Sequence, residues 1–199
     1  MKNTLLTLLR DKNTSLEAFR HASHRLGSIL AAEVAQKLHE KPKAIETPLS
    51  PMQGAELSAN IVLIPILRAG MALLPPFLSL FPKASVGFFG IKRDEATAKP
   101  IEYYENIPPF SPKDALIILD PMIATGGSAH VAVKKLLSKG ATLSQIQLAG
   151  VIGATDGIAF LHSHHPGLPI TVAGIDKELN AHKFIVPGLG DFGDRYFGT

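Results

Sequence analysis

The stretch Ala115–Ser128, ALIILDPMIATGGS, decides how the rest of the chain is read. Ala115–Leu119 is an apolar run with the length and branching of a buried strand. Asp120 stands at its end, and the small polar turn Ala124-Thr125-Gly126-Gly127 follows. Ser128 is placed to act as an N-cap. Behind it Val131, Val133, Leu136 and Leu137 recur at helical spacing until Gly140 supplies a stop. Strand, small-residue loop and helix form a recipe for holding a phosphate. Glycines let backbone approach the anion, successive N–H groups make a donor nest, and the helix start adds unpaired N–H groups and a positive dipole end. Asp120 could hold ribose hydroxyls or a metal beside that phosphate. An ordinary tight βα loop has the same ingredients, so the loop alone leaves both readings open. It is not a Walker loop, because no Lys-Ser or Lys-Thr follows the glycines.

Composition narrows the field. A chain of 199 residues with 46% apolar residues is expected to form one globular domain, spanning 1–199. The absence of cysteine excludes a disulfide framework, a thiol nucleophile and cysteine-based metal centres, and it fits a reducing, cytoplasmic setting. A net charge of +3 is too small to argue for nucleic acid. The N-terminal MKNTLLTLLRD is broken by Thr7 and closed by Arg10 and Asp11, which argues against a signal peptide. No apolar run reaches the ~18 residues of a membrane span.

Working outward, Ser15–Leu38 reads as a helix with Leu16, Phe19, Ala22, Leu26, Ile29 and Leu30 on one face and Ser15 or Thr14 as cap. Residues 41–58 read as an irregular connection or short strands. Ile61–Leu67 is a second buried strand, ending in Arg68-Ala69-Gly70. In an open parallel sheet ligands bind beyond the carboxyl ends of the strands, so Arg68 and Asp120 are expected on one edge. A surface salt bridge is the plainer role for Arg68. Pro75 and Pro76 should end or kink the helix that begins near Gly70. Ser85–Ile91 is a third strand, closing in Lys92, Arg93, Asp94 and Glu95. Thr97–Lys113, with Tyr103 and Tyr104 at its centre, reads as an exposed hairpin, a flexible lid or a plain long connection. Ile146–Ile152 and Ile170–Ile175 are further strands, the latter ending at Asp176. A short helix at 156–163, capped by Thr155, lies between them. Alternating strands and helices imply an α/β domain with a mostly parallel sheet. His162, His164 and His165 lack ligand spacing and read as a solvated helix end.

The tail Phe184–Thr199, FIVPGLGDFGDRYFGT, contains G-x-G-x-x-G at Gly188, Gly190 and Gly193, but only six residues follow Gly193. A dinucleotide fingerprint needs a strand before it and a helix after it within a βαβ unit. The glycines instead suggest a tight loop whose backbone reads a small planar ligand with a lactam or imide edge. Phe192 and Tyr196 stand near enough to pack on such a ring. A structural cap over the core is the alternative.

PILRAG (Pro65–Gly70), DPMIATGGS (Asp120–Ser128) and IVPGLGDFGDRYFGT (Ile185–Thr199) together resemble the uracil phosphoribosyltransferase family, and Leu8–Glu33 is similar to its first helix. The resemblance spans nearly the whole chain. It implies an α/β type I phosphoribosyltransferase fold with a small hood. The implied reaction joins uracil to 5-phosphoribosyl 1-diphosphate (PRPP) and yields UMP and diphosphate in pyrimidine salvage. It also implies Mg²⁺ carried by PRPP rather than by a protein metal site, a homodimer or dimer of dimers, and GTP as a possible effector. No nucleic-acid or membrane partner is expected. By resemblance, Ala124, Thr125, Gly126, Gly127 and Ser128 cradle the 5′-phosphate, with Pro121, Met122 and Ile123 in the same PRPP loop, and Asp120 binds the ribose hydroxyls. Arg68 and Arg93 match diphosphate contacts. Ile185, Gly190, Asp191 and Phe192 match uracil contacts, mostly through backbone. Asp191 also matches a PRPP contact and, with Arg68, is the catalytic candidate. Phe192 stands where bacterial members often carry alanine, which is expected to alter closure of the uracil pocket. Pro121 replaces the second acid that many relatives of this fold carry after the first, which favours the uracil branch. A bulky residue at Gly126 is expected to weaken PRPP binding and leave the fold intact. Two rivals remain: a regulator of this fold that binds RNA, against which the scattered basic residues argue, and transfer to a purine or to orotate.

Overall fold

The computed structural model describes residues 1–93 and 100–199, Arg93 by its backbone alone. The chain runs α1 (Lys2–Arg10), α2 (Leu16–Ala35), β1 (Glu40–Glu46), β2 (Pro51–Leu57), β3 (Ile61–Leu67), α3 (Leu74–Leu80), β4 (Ser85–Val86), β5 (Phe88–Arg93) and β6 (Pro100–Asn106). It continues with β7 (Ala115–Leu119), β8 (Met122–Ile123), α4 (Gly127–Ser138), β9 (Ile146–Ala154), α5 (Thr155–His164), β10 (Ile170–Asp176), β11 (Glu178–Leu179), β12 (Ile185–Val186) and α6 (Phe192–Phe197). The central sheet has the order β10-β9-β7-β3-β5-β6, with β4 beside β3 and β8 beside β9. Its strands are parallel except β6, which returns antiparallel to β5.

The apolar runs at β3 and β7 are buried because the sheet is covered on both faces. Side chains alternate across it. Ile61, Leu63, Ile117 and Leu119 join the core under α1, α2, α3 and α6, where Leu9, Phe19, Leu26, Phe77 and Phe192 pack. Val62, Ile64, Ile66, Leu116 and Ile118 join the opposite core with Ala132, Val133, Leu136 and Leu161 of α4 and α5. Period-two alternation inside continuous apolar runs thus builds two cores from one strand pair.

Several sequence expectations change. The first long helix ends at Ala35, not Leu38; Ser15 caps it by accepting from the Ala18 N–H at 3.2 Å. Leu16 is exposed and Ile29 only half-buried, while Ser23, Gly27, Ala31 and Val34 complete the packed face. For residues 41–58 the second of the two readings holds: they are short strands, paired as the exposed antiparallel hairpin β1–β2. Pro75 and Pro76 start α3 rather than ending a helix, because a first turn has no use for their missing N–H groups. Ser128 is the second residue of α4, whose N-cap is Gly126, at φ 77°. Thr155 makes no side-chain cap for α5; its hydroxyl donates to the Asp176 carbonyl at 3.2 Å. The Thr97–Lys113 hairpin reading matches β6 folded back on β5, whereas Asp94, Glu95 and Thr97–Lys99 lie outside the described residues.

Candidate active site

β3 and β7 are neighbours in register, Pro65 opposite Leu119, so the residues that follow them emerge on one edge. Arg68 and Asp120 stand there as the sequence implies. Gly70 makes that approach possible: a Cβ on it would lie 2.4 Å from the Leu119 carbonyl oxygen. Asp120, half-buried, and Met122–Ser128 line a small open pocket. The Asp120 carboxylate also accepts weakly from the Met122 N–H at 3.5 Å. Gly126 takes the left-handed conformation that turns the chain into α4. Thr125 Oγ1 accepts from the Gly127 N–H at 3.4 Å. The pocket floor is braced by α5, whose Gly157 sits so close that a Cβ there would lie 2.2 Å from the Ala124 oxygen. First-turn N–H groups of α4, of which Gly127 is held only weakly by Thr125, and a left-handed glycine suit this pocket to an anion.

The tail closes on the same edge. Asp191 caps α6 by accepting from the Asp194 N–H at 2.9 Å, and Arg68 Nη2 donates to Asp194 Oδ1 at 3.3 Å. A Cβ on Gly193 would lie 3.7 Å from Ala69 Cβ. Gly188 and Gly190 both have positive φ, at 60° and 81°. The Leu67–Arg68 and Val186–Pro187 peptides are cis. Ile185 is buried, and its carbonyl lies against Gly188, where a Cβ would approach to 2.1 Å.

One expectation about the tail is corrected. The Phe192 ring is fully buried, 5.2 Å from Phe19 and 6.1 Å from Tyr196 between ring centroids, so it cannot stack on a bound ring. Phe192 can offer a ligand its backbone only, and its side chain fills the core beneath the loop. Tyr196 likewise packs against that core, with Arg20 over its ring at 5.8 Å. The Gly126 expectation is also revised: a Cβ there would meet the Gly157 oxygen at 2.7 Å, so a bulky residue strains the fold as well as the cradle. Arg93 reaches the end of β5, but its side chain lies outside the described residues.

Of the three histidines His162 and His164 are exposed at the end of α5, as expected of a solvated helix end, but His165 is not. His165 is buried, and its Nε2 lies 3.0 Å from His130 Nδ1 on α4, with the His164 ring 4.9 Å from that of His130. Burial, reinforced by the neighbouring His165, His164 and Lys134, pushes His130 below the ordinary histidine pKa. Burial likewise lowers His165, with His164 and Lys134 adding to it. The unfolded chain therefore binds protons that the folded one refuses, and stability must fall as pH drops below about 6.5. The melting temperature is expected to fall between about pH 7 and about pH 5, and less steeply in His165→Gln. Parallel thermal unfolding curves for the two proteins would refute this. Among the described residues, no group of three or more His, Cys, Asp or Glu side chains is placed to hold a metal ion.

The ties behind the tail escaped the sequence reading. Arg10 and Asp176 form a bidentate pair that also holds Gly188, and Arg195 grips the Leu189 carbonyl at 2.8 Å. Asp176 was visible as an acid at a strand end; nothing local marked Arg10 as its partner, 166 positions away.

A parallel sheet with an anion cradle at its carboxyl edge and a glycine-rich loop beside it has the architecture of a phosphoribosyltransferase. A purine phosphoribosyltransferase from Pyrococcus horikoshii shares the fold at TM-score 0.51 and 14% identity, over 76% of this chain and 80% of that one. A protein of Aquifex aeolicus, AQ2163, matches at TM-score 0.91 and 33% identity, over all of this chain and 94% of its own. The model of the uracil phosphoribosyltransferase family matches residues 2–199, and the chain belongs to that family. Uracil phosphoribosyltransferases of Roseiflexus sp. (strain RS-1) and Dictyoglomus thermophilum are 45% and 43% identical to it, each over 98% of this chain and 92–93% of their own length.

Proposed function

We propose that this chain transfers the phosphoribosyl group of PRPP to uracil, forming UMP and diphosphate in pyrimidine salvage. The observation that carries the reading is the loop Asp120–Ser128 at the same sheet edge as Arg68, to which the glycine-rich tail is tied through Asp194. In the reaction a bond forms between uracil N1 and the anomeric carbon, the bond from that carbon to the diphosphate oxygen breaks, and N1 loses its proton. The loop Ala124–Ser128 holds the 5′-phosphate, and Asp120 orients the ribose by accepting from its hydroxyls. Arg68, with Arg93, takes up charge developing on the departing diphosphate. Backbone groups of Ile185 and Gly190–Phe192 read the uracil edge. The Asp191 side chain, already a helix cap, stands beside them for PRPP or for the N1 proton.

Mg²⁺ fits the donor set as a substrate-borne ion: it keeps waters and binds through one or two carboxylates plus phosphates, and the loop supplies the Asp120 carboxylate rather than a cage. When bound with PRPP it would neutralise diphosphate charge. We place the enzyme in the cytoplasm, where lack of cysteine fits a reducing medium; among the described residues no helix is long and apolar enough to cross a membrane. Family membership supports a homodimer or a dimer of dimers, and GTP as effector.

The test is UMP formation from uracil and PRPP, with and without Mg²⁺, beside cytosine, orotate, hypoxanthine and adenine. Uracil-dependent, Mg²⁺-stimulated turnover is expected. PRPP binding with no base transferred would leave the cradle standing and remove the tail assignment.

A further inference from the structure

The backbone leading into Gly190 is held from behind by charged side chains that bond to one another, to the tail and to the end of α1. Arg10, the last residue of α1, donates through Nη1 to Asp176 Oδ2 and to the Gly188 carbonyl, and through Nη2 to Asp176 Oδ1, each at 2.7 Å. Asp176, the last residue of β10 and 7% exposed, accepts in addition from the Gly188 N–H at 2.8 Å. Both polar groups of Gly188 are thus fixed by one ion pair. The next carbonyl, Leu189, accepts from Arg195, whose guanidinium also donates to the Leu9 and Asp11 carbonyls beside Arg10.

We propose that Arg10 and Asp176 are positioning residues for the base: their ion pair sets the direction in which Gly188–Gly190 delivers the uracil-reading backbone. This rests on the assignment of the tail to uracil. A loop that recognises a ligand through N–H and C=O groups has no side-chain rotamer to adjust, so its selectivity depends on what anchors the backbone. A fork with two parallel hydrogen bonds is a stiffer anchor than a single contact. The pair is also set for the neutral range. The Arg10 hydrogen bonds hold the Asp176 carboxyl below its ordinary value against the opposing effect of burial, and the Gly188 N–H adds to the lowering. A lowered carboxyl adds stability that is whole above the ordinary carboxylate range and is lost as pH falls through that range to the lowered value.

The test compares steady-state kinetics of the wild type, Arg10→Lys, Asp176→Asn and Glu33→Gln. Glu33 pairs with Lys2 Nζ at 2.9 Å and ties the other end of α1 to α2, so its variant loosens the same helix without reaching the tail. Arg10→Lys and Asp176→Asn are expected to raise KM for uracil about tenfold, with KM for PRPP and kcat within about twofold of wild type. Glu33→Gln is expected to lower the melting temperature and leave KM for uracil unchanged. KM does not depend on the fraction of enzyme that is folded, so a purely structural role would lower melting temperature and apparent kcat alone; that pattern, or an equal rise in Glu33→Gln, overturns the proposal. If the wild type makes no UMP, the uracil assignment itself fails, before any variant is compared, and this inference falls with it.

Discussion

Gly126→Val is expected to lower kcat/KM for PRPP by about a hundredfold or more and to lower the melting temperature as well. Three effects act together at this position. The backbone is left-handed at φ 77°, which a β-branched residue adopts only at a cost of about 1–3 kcal/mol. The added Cβ would meet the Gly157 carbonyl oxygen at 2.7 Å and the Leu161 and Phe160 side chains at 3.0 and 3.1 Å. Relief requires the turn to move away from α5, which takes the loop N–H groups out of the arc a phosphate needs. Gly140→Val separates strain from loss of the cradle. Gly140 is also left-handed, at φ 95°, yet a Cβ there meets nothing within 4 Å. That variant is expected to lose some stability and keep the PRPP kinetics of the wild type. Wild-type PRPP kinetics in Gly126→Val, measured beside thermal unfolding, would remove the cradle from the site.

Arg68→Ala is expected to cut kcat by about a hundredfold to a thousandfold while changing KM for uracil little. Its guanidinium stands at the carboxyl end of β3, where diphosphate would leave, and its interaction grows as charge develops on that group. An interaction made mainly in the transition state appears in turnover rather than in binding. Stability does not confound the result. The Arg68 side chain is 61% exposed, and its partner Asp194 is 52% exposed, so the pair adds little to folding. Arg68→Lys is expected to fall between, since it keeps charge but loses the fork. Unchanged kcat in the alanine variant would take Arg68 out of the mechanism.

The elements that read best from sequence are those whose own residues carry the signal. Five consecutive apolar positions at Ala115–Leu119 can be satisfied only inside a covered sheet, and seven at Ile61–Leu67 likewise. Glycines at 126, 188 and 190 announce left-handed turns, and all three have positive φ. Pro75 and Pro76 misled because proline blocks a helix interior but suits a first turn, and the helix start is set by the preceding 3₁₀ turn at Ala69–Ala72. His165 misled because spacing along α5 says nothing of His130 on α4, which supplies its partner.

What the sequence by itself determined is therefore the succession of buried strands at Ile61–Leu67, Ala115–Leu119, Ile146–Ile152 and Ile170–Ile175 with α2, α4 and α5 around them, and the small-residue loop after β7; α1 and α6 were not in it. Both follow from short-range patterns: apolar runs, turn residues and an acid or base at a strand end. Only the tertiary structure decided where the Phe192 ring goes, since the core under α2 admits it at Phe19. Only the tertiary structure joined Arg10 to Asp176 and both to Gly188. Those contacts span 166, 178 and 12 positions of chain, and they form because docking α1 against the end of β10 places a guanidinium where a buried carboxylate and the Gly188 carbonyl both need a partner.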